Sequence, residues 1–303
     1  MNEILKYIPL DKSWVIRMGV LDITHEYYDI IPFLEKEKNL GDDLKSLYRA
    51  CVSWKKEEKQ IYVGESGTLY RILRFASWKL KLDKEFVADK TLIKRIQKMC
   101  NDPEMVNWSL EKLLTTDGRT SQNATASILT GNKEQATKEQ LEKHPKLGLS
   151  YEAREHWDQR RDQGLCWEPR YDSTIEKQAI AYVNFLQTGK FNFVPDNNAE
   201  NYCFMRVFGL IKKEEGETIW PQLRKHETDR IEEMENIIEL INKDAVVDTP
   251  DHRVAQVYAM FQLFAEKEIK LKDRNVVGKS WPPEQFFGFL DCCRNLYKGR
   301  IFT

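Results

Sequence analysis

Apolar residues recur at helical spacing in four stretches of the chain: Ser66–Leu80, Ile175–Leu186, Glu232–Ile241 and Val254–Phe264. A repeat of this period places one apolar stripe on a helix, so each stretch predicts an amphipathic helix. Short β-like runs stand between them, at Gln60–Val63, Lys190–Val194, Ala245–Val247 and Glu268–Leu271. Alternation of such runs with helices predicts an α/β or α+β fold. The segment Gly131–Arg170 is polar and charged, with Pro145 and Pro169 as breaks and no strand pattern, and a domain connection is expected near its end.

At 303 residues the chain is long enough for two ordinary domains with sizeable cores. Its 47 Lys and Arg residues nearly balance 48 Asp and Glu, and no basic block occurs, so no nucleic-acid partner is expected and any anion site must be local. No stretch approaches the roughly 18 unbroken apolar residues of a membrane span, and the start MNEILKYIPLDKSW has no apolar leader core. The expectation is a cytoplasmic protein that does not meet a membrane. Its six cysteines are scattered apart from Cys292-Cys293, which reads as reduced thiols and predicts no metal site.

Three clusters carry candidate chemistry. Tyr62-Val63-Gly64-Glu65-Ser66-Gly67-Thr68 runs from a strand through a glycine turn into a helix, which is either a plain turn or an anion seat on exposed backbone N–H groups. Lys225-His226-Glu227-Thr228-Asp229-Arg230 opens a helix, with Glu227 and Arg230 on one face; as charge alone it is a solvated helix start. Asp251-His252-Arg253-Val254-Ala255 opens another, followed by Gly278-Lys279-Ser280-Trp281-Pro282 before a final apolar helix.

Taken in order, these motifs resemble the 5-enolpyruvylshikimate-3-phosphate (EPSP) synthases of the enolpyruvyl transferase family. Lys12-Ser13 followed by Arg17 resembles the family's Lys-Ser-x-x-x-Arg signature, and Gly64-Glu65-Ser66-Gly67-Thr68 with Arg71 its glycine turn. Arg95 falls where the family has an arginine, and Thr120-Ser121-Gln122 resembles its Ser-Ser-Gln loop. Cys100 follows Arg95 instead of preceding it, which sets the chain apart from the UDP-N-acetylglucosamine enolpyruvyl transferases.

The resemblance implies a two-domain inside-out α/β barrel of βαβαββ repeats, shortened by one or more repeats, with helices inside and sheets outside. The implied domains are residues 14–168 and residues 169–303 joined by 1–13, closing on phosphoenolpyruvate in a cleft. It implies a monomeric transferase without cofactor, whose only partners are small molecules: phosphoenolpyruvate and a hydroxyl acceptor, first of all shikimate 3-phosphate. By family position Lys12, Gly67, Arg95, Gln122, Arg230, Arg253 and Lys279 would hold phosphoenolpyruvate. Glu227 and Lys12 would move protons at its methylene carbon. Asp196 would take the acceptor's hydroxyl proton, with Asp172 as the alternative. Ser13, Arg17, Thr120, Ser121, Gln222 and His226 would face the acceptor, a less faithful set: His226 replaces a lysine, Gln222 an asparagine, and Lys143-His144-Pro145-Lys146 a Ser-x-Pro-Tyr stretch. A different alcohol, or a binding protein without turnover, stands as the alternative.

Overall fold

A computed structural model describes residues 2–97, 99–117, 120–164, 168–194, 198–225 and 228–298. The chain divides into two compact units, Leu10–Arg170 and Met1–Pro9 with Tyr171–Thr303, each with its own apolar core.

The opening helix α1 (Asn2–Leu5) belongs with the C-terminal part of the chain. In Leu10–Arg170 follow α2 (Lys12–Thr24), α3 (Ile30–Lys36), α4 (Asp42–Lys55), β1 (Gln60–Gly64), α5 (Gly67–Lys79), β2 (Glu85–Ala88) and α6 (Lys90–Ile96). The unit ends with α7 (Leu110–Asp117), α8 (Gln122–Leu129), α9 (Lys138–Lys143) and α10 (Pro145–Gln163). The second unit holds α11 (Ser173–Thr188), α12 (Asn201–Val207), α13 (Lys213–Ile219), α14 (Arg230–Asn242), α15 (His252–Phe264) and α16 (Pro283–Lys298). Short 3-10 turns occupy Pro221–Lys225 and Arg274–Lys279.

The α/β expectation is overturned: the described residues are 65 % helical, and their one sheet has two short parallel strands, β1 and β2. The inside-out barrel falls with it, because the described residues hold no sheet layer to cover the helices. Each mistaken strand has a local cause. Lys190–Val194 joins no ladder; its alternate residues Phe191 and Phe193 pack against Phe204 instead, so the two-residue period reports aromatic packing. Ala245–Val247 and Glu268–Leu271 meet only in a single parallel bridge, Val247 with Leu271.

From Lys138 to Gln163 the polar segment folds as two helices, α9 and α10, for a related reason. Pro145 stands in the first turn of α10, where the missing N–H costs nothing, and Leu147, Ser150, Ala153, Trp157 and Arg160 form the buried stripe of that helix. Arg160 is buried because Asp22 is: the Asp22 carboxylate accepts from Arg160 Nη2 at 2.6 Å, Trp157 Nε1 at 2.7 Å and Ile30 N at 2.9 Å. One carboxylate thereby ties α2, α3 and α10 together. Helix α2 itself is buried almost all round, which erases the amphipathic signature by which helices are read.

Candidate functional site

In the unit built from Tyr171 onwards, polar residues gather where α11, α12, α14 and α15 begin. These helix starts are set by local chemistry, since Asp172, Asp229 and Asp251 each cap a helix by accepting from backbone N–H groups of its first turn. Asp251 does more. Its Oδ1 accepts from the backbone N of Arg253 at 2.9 Å, while its Oδ2 accepts from Arg230 Nε at 2.8 Å and Thr228 Oγ1 at 3.0 Å. Burial acts to raise the Asp251 pKa, but the charges of Arg230 and His252 outweigh it and hold the carboxyl well below its usual range. Burial likewise opposes the Arg230 charge, and Asp251 more than offsets it, so the guanidinium titrates above its ordinary value.

Arg253, in the first turn of α15, is only 5 % exposed. Its Nη2 bonds Glu200 Oε2 and stands 3.8 Å from Asp172 Oδ2. Its Nη1 is buried and has no hydrogen-bond partner among the described residues. An orphaned guanidinium N–H of this kind forfeits the hydrogen bond it made to water and is satisfied by an added acceptor. Glu200 is placed by a second tier: Asn198 Oδ1 accepts from Glu200 N at 3.1 Å, and Asn198 Nδ2 reaches Thr174 Oγ1 at 2.9 Å. Below it the Cys203 thiol is buried, which pushes its pKa up to about 12 and leaves it inert at neutral pH. Lys279 ends a 3-10 turn that Gln256, one turn along α15 from Arg253, fastens through Val277 O at 3.1 Å and Ser280 Oγ at 3.4 Å.

A second polar cluster lies in Leu10–Arg170. Gln122, the first residue of α8, donates from Nε2 to Thr68 Oγ1 at 2.7 Å and accepts from Arg71 Nη1 at its Oε1. Arg95 Nη2 donates to the Glu65 carbonyl at 3.0 Å and lies 3.4 Å from its carboxylate, and Arg95 Nη1 is 3.6 Å from where a side chain on Gly67 would begin. Gly67, Thr68, Arg71, Arg95 and Gln122 thus meet at the starts of α5 and α8.

The remaining expected residues divide three ways. Lys12 pairs with the nearly buried Asp43 at 2.9 Å. Arg17 is a buried framework residue: Nε donates to Ser150 Oγ at 3.0 Å, Nη1 to Ser13 O at 2.8 Å and Nη2 to Lys146 O at 2.8 Å. Burial draws its pKa down to about 10, Asp11 pulling the other way. Ser121 is buried before α8, and Thr120 and Gln222 are half-buried. Asp196, His226 and Glu227 lie outside the described residues. Sequence reading missed Glu200 and Asp43. Glu200 was legible as the polar start Asn198-Ala199-Glu200-Asn201 ahead of the apolar run Tyr202–Met205, whereas Asp43 is one of many first-turn acids and carried no signal.

No family model, no curated protein and no solved structure matches this chain. Among the described residues, no helix is long and apolar enough to cross a membrane.

Proposed function

We propose that this protein binds a small anion bearing a carboxylate and a phosphate, of the phosphoenolpyruvate class, and transfers its enolpyruvyl group to an alcohol. Shikimate 3-phosphate is the first acceptor to try, and the reading carries with it a monomeric, cofactor-free enzyme of the cytoplasm. The observation that supports it best is the buried, unsatisfied Nη1 of Arg253 at the start of α15, where Asp251 bonds both the Arg253 backbone N and Arg230 Nε, with the Arg253 Nη2 near the carboxylates of Glu200 and Asp172. The motif order from Lys12 to Lys279 adds the substrate class. The inside-out barrel forms no part of the proposal.

The reaction asks for cations that hold two anionic groups and for groups that move protons. A proton adds to the methylene carbon, the acceptor oxygen bonds the neighbouring carbon, and the acceptor's hydroxyl proton leaves. Loss of a proton from the methyl group so formed then expels inorganic phosphate and restores the double bond. Guanidinium groups suit the first task because their planar forks meet carboxylate and phosphate oxygens and stay charged. Helix starts add their N–H groups and the positive end of their dipoles. Glu200, 25 % exposed in its side chain and in contact with Arg253, is suited to take the hydroxyl proton in place of Asp196.

A second reading, binding without turnover, is favoured by the ion pairs themselves: Arg230 is matched by Asp251, and Arg253 by Glu200. A ligand anion must displace Glu200 from Arg253 or share that guanidinium with it. The deciding experiment incubates the protein with phosphoenolpyruvate and shikimate 3-phosphate and follows inorganic phosphate, wild type against Arg253→Ala. Release by wild type that falls at least about a hundredfold in the variant supports the transferase, a loss in the range of single donors to a developing anion. Binding of phosphoenolpyruvate without release supports the second reading, and absence of both refutes the anion site.

A further inference from the structure

We infer that the face of α5 carrying Tyr70, Arg74 and Trp78 forms a separate binding site for a small oxyanion, a carboxylate or a phosphate. The three residues recur every four positions and so share one face of the helix. With Lys84, Phe86 and Asn101 they line an open cavity of about 230 Å³, smaller than the usual range for drug-sized ligands and suited to a small metabolite.

Charge is the argument. Arg74 is 3 % exposed, yet among the described residues it pairs with no carboxylate. Its Nη1 donates to Asn101 Oδ1 at 3.2 Å and lies 3.4 Å from Tyr70 Oη, and its Nη2 donates to the Cys100 carbonyl at 3.0 Å. All three are neutral acceptors. Its Nε is buried with no hydrogen-bond partner. The rings of Tyr70 and Trp78 lie 5.0 and 4.6 Å from the guanidinium carbon; they hold the cation in place and exclude water from its faces, but cannot balance its charge as an anion does.

Lys84 is the second cation of the cavity, and its Nζ donates to the Glu58 carbonyl at 2.7 Å, again a neutral oxygen. Two positive charges with neutral partners and aromatic walls between them leave net positive charge in a partly dry cleft, where an entering anion is attracted more strongly than in open water. Of the other buried arginines described above, Arg160, Arg230 and Arg253 have a carboxylate within the protein, whereas Arg17 spends all three of its donor nitrogens on neutral oxygens; Arg74 differs from Arg17 in keeping an unpartnered Nε and in lining an open cavity. At Arg74 the carboxylate's place is left to a ligand.

The test reads the arginine Nε–H signals of the intact protein by NMR while sodium phosphate or sodium acetate is added, with sodium chloride at matched ionic strength as the control. Arg74→Lys identifies the Arg74 signal by its loss. The expected result is a saturable shift of that signal with phosphate, with acetate or with both, and none with chloride; which salt acts tells whether phosphate or carboxylate is preferred. Lys84→Met, a change at a half-buried side chain, should weaken the binding about tenfold, corresponding to about 1.4 kcal/mol. No saturable shift with either oxyanion, an equal shift with chloride, or unchanged affinity in Lys84→Met overturns the inference. Phosphate release from phosphoenolpyruvate is not read here, so this proposal and the transferase proposal stand or fall separately.

Discussion

Asp251 carries two tasks on one carboxylate, capping α15 with Oδ1 and neutralising Arg230 with Oδ2. Asn at this position would still cap the helix, so Asp251→Asn isolates the charge. Removing one partner of a buried pair leaves the other uncompensated, and the substitution should cost about 3–5 kcal/mol in urea unfolding at neutral pH. Acid shows the same group from another side. Because its folded pKa lies below the unfolded value of about 3.9, the stability it contributes is complete above that pH and drains away as pH falls below it. Wild-type stability should therefore decline from about pH 4 downward more steeply than that of Asp251→Asn. Equal slopes would show that this carboxylate does not govern acid unfolding. At Glu200 the question is function. Glu200→Gln removes the carboxylate that competes for Arg253, so phosphoenolpyruvate should bind about tenfold tighter. The same change should slow phosphate release by at least about a hundredfold, since the carboxylate assigned to take the acceptor's hydroxyl proton is gone. Tighter binding with undiminished release would leave Glu200 a competitor and nothing more.

Among elements, β1 and its exit into α5 are the most constrained. Gly64 has φ +56°, and a Cβ built there would stand 2.5 Å from Ser46 Oγ of α4. Gly64→Ala should lower stability by about 1–2 kcal/mol for the left-handed backbone, before the clash is counted. Adding Ser46→Ala should recover only the part due to the clash; full recovery in the double variant would show that the backbone angle is not the constraint. The turn matters because it delivers Gly67 and Thr68 to Arg95 and Gln122. This much was readable as a strand, a glycine turn and a helix. Helix α10 was not, because its buried stripe includes Ser150 and Arg160, whose burial depends on partners more than 130 residues earlier in the chain, Arg17 as donor to Ser150 and Asp22 as acceptor from Arg160.

For the whole molecule, the departure from an α/β plan has a direct measurement. Far-ultraviolet circular dichroism should report helix near 65 % with very little strand, whereas a barrel of repeated βαβαββ units would give comparable amounts of both. A spectrum of the second kind would reverse the fold described here. What the sequence determined by itself were the features that neighbours along the chain decide. The four periodic helices and the glycine turn depend on contacts a few residues apart, and all are present. Only the tertiary structure decided what distant residues do. Phe191 and Phe193 pair with rings instead of a strand, Arg17 is spent on the framework, and Arg253 meets Glu200 across 53 residues of chain. Hydrophobic period records which side of a segment avoids water, whereas the partner that covers it is chosen by packing and by the need of buried polar groups for hydrogen-bond partners.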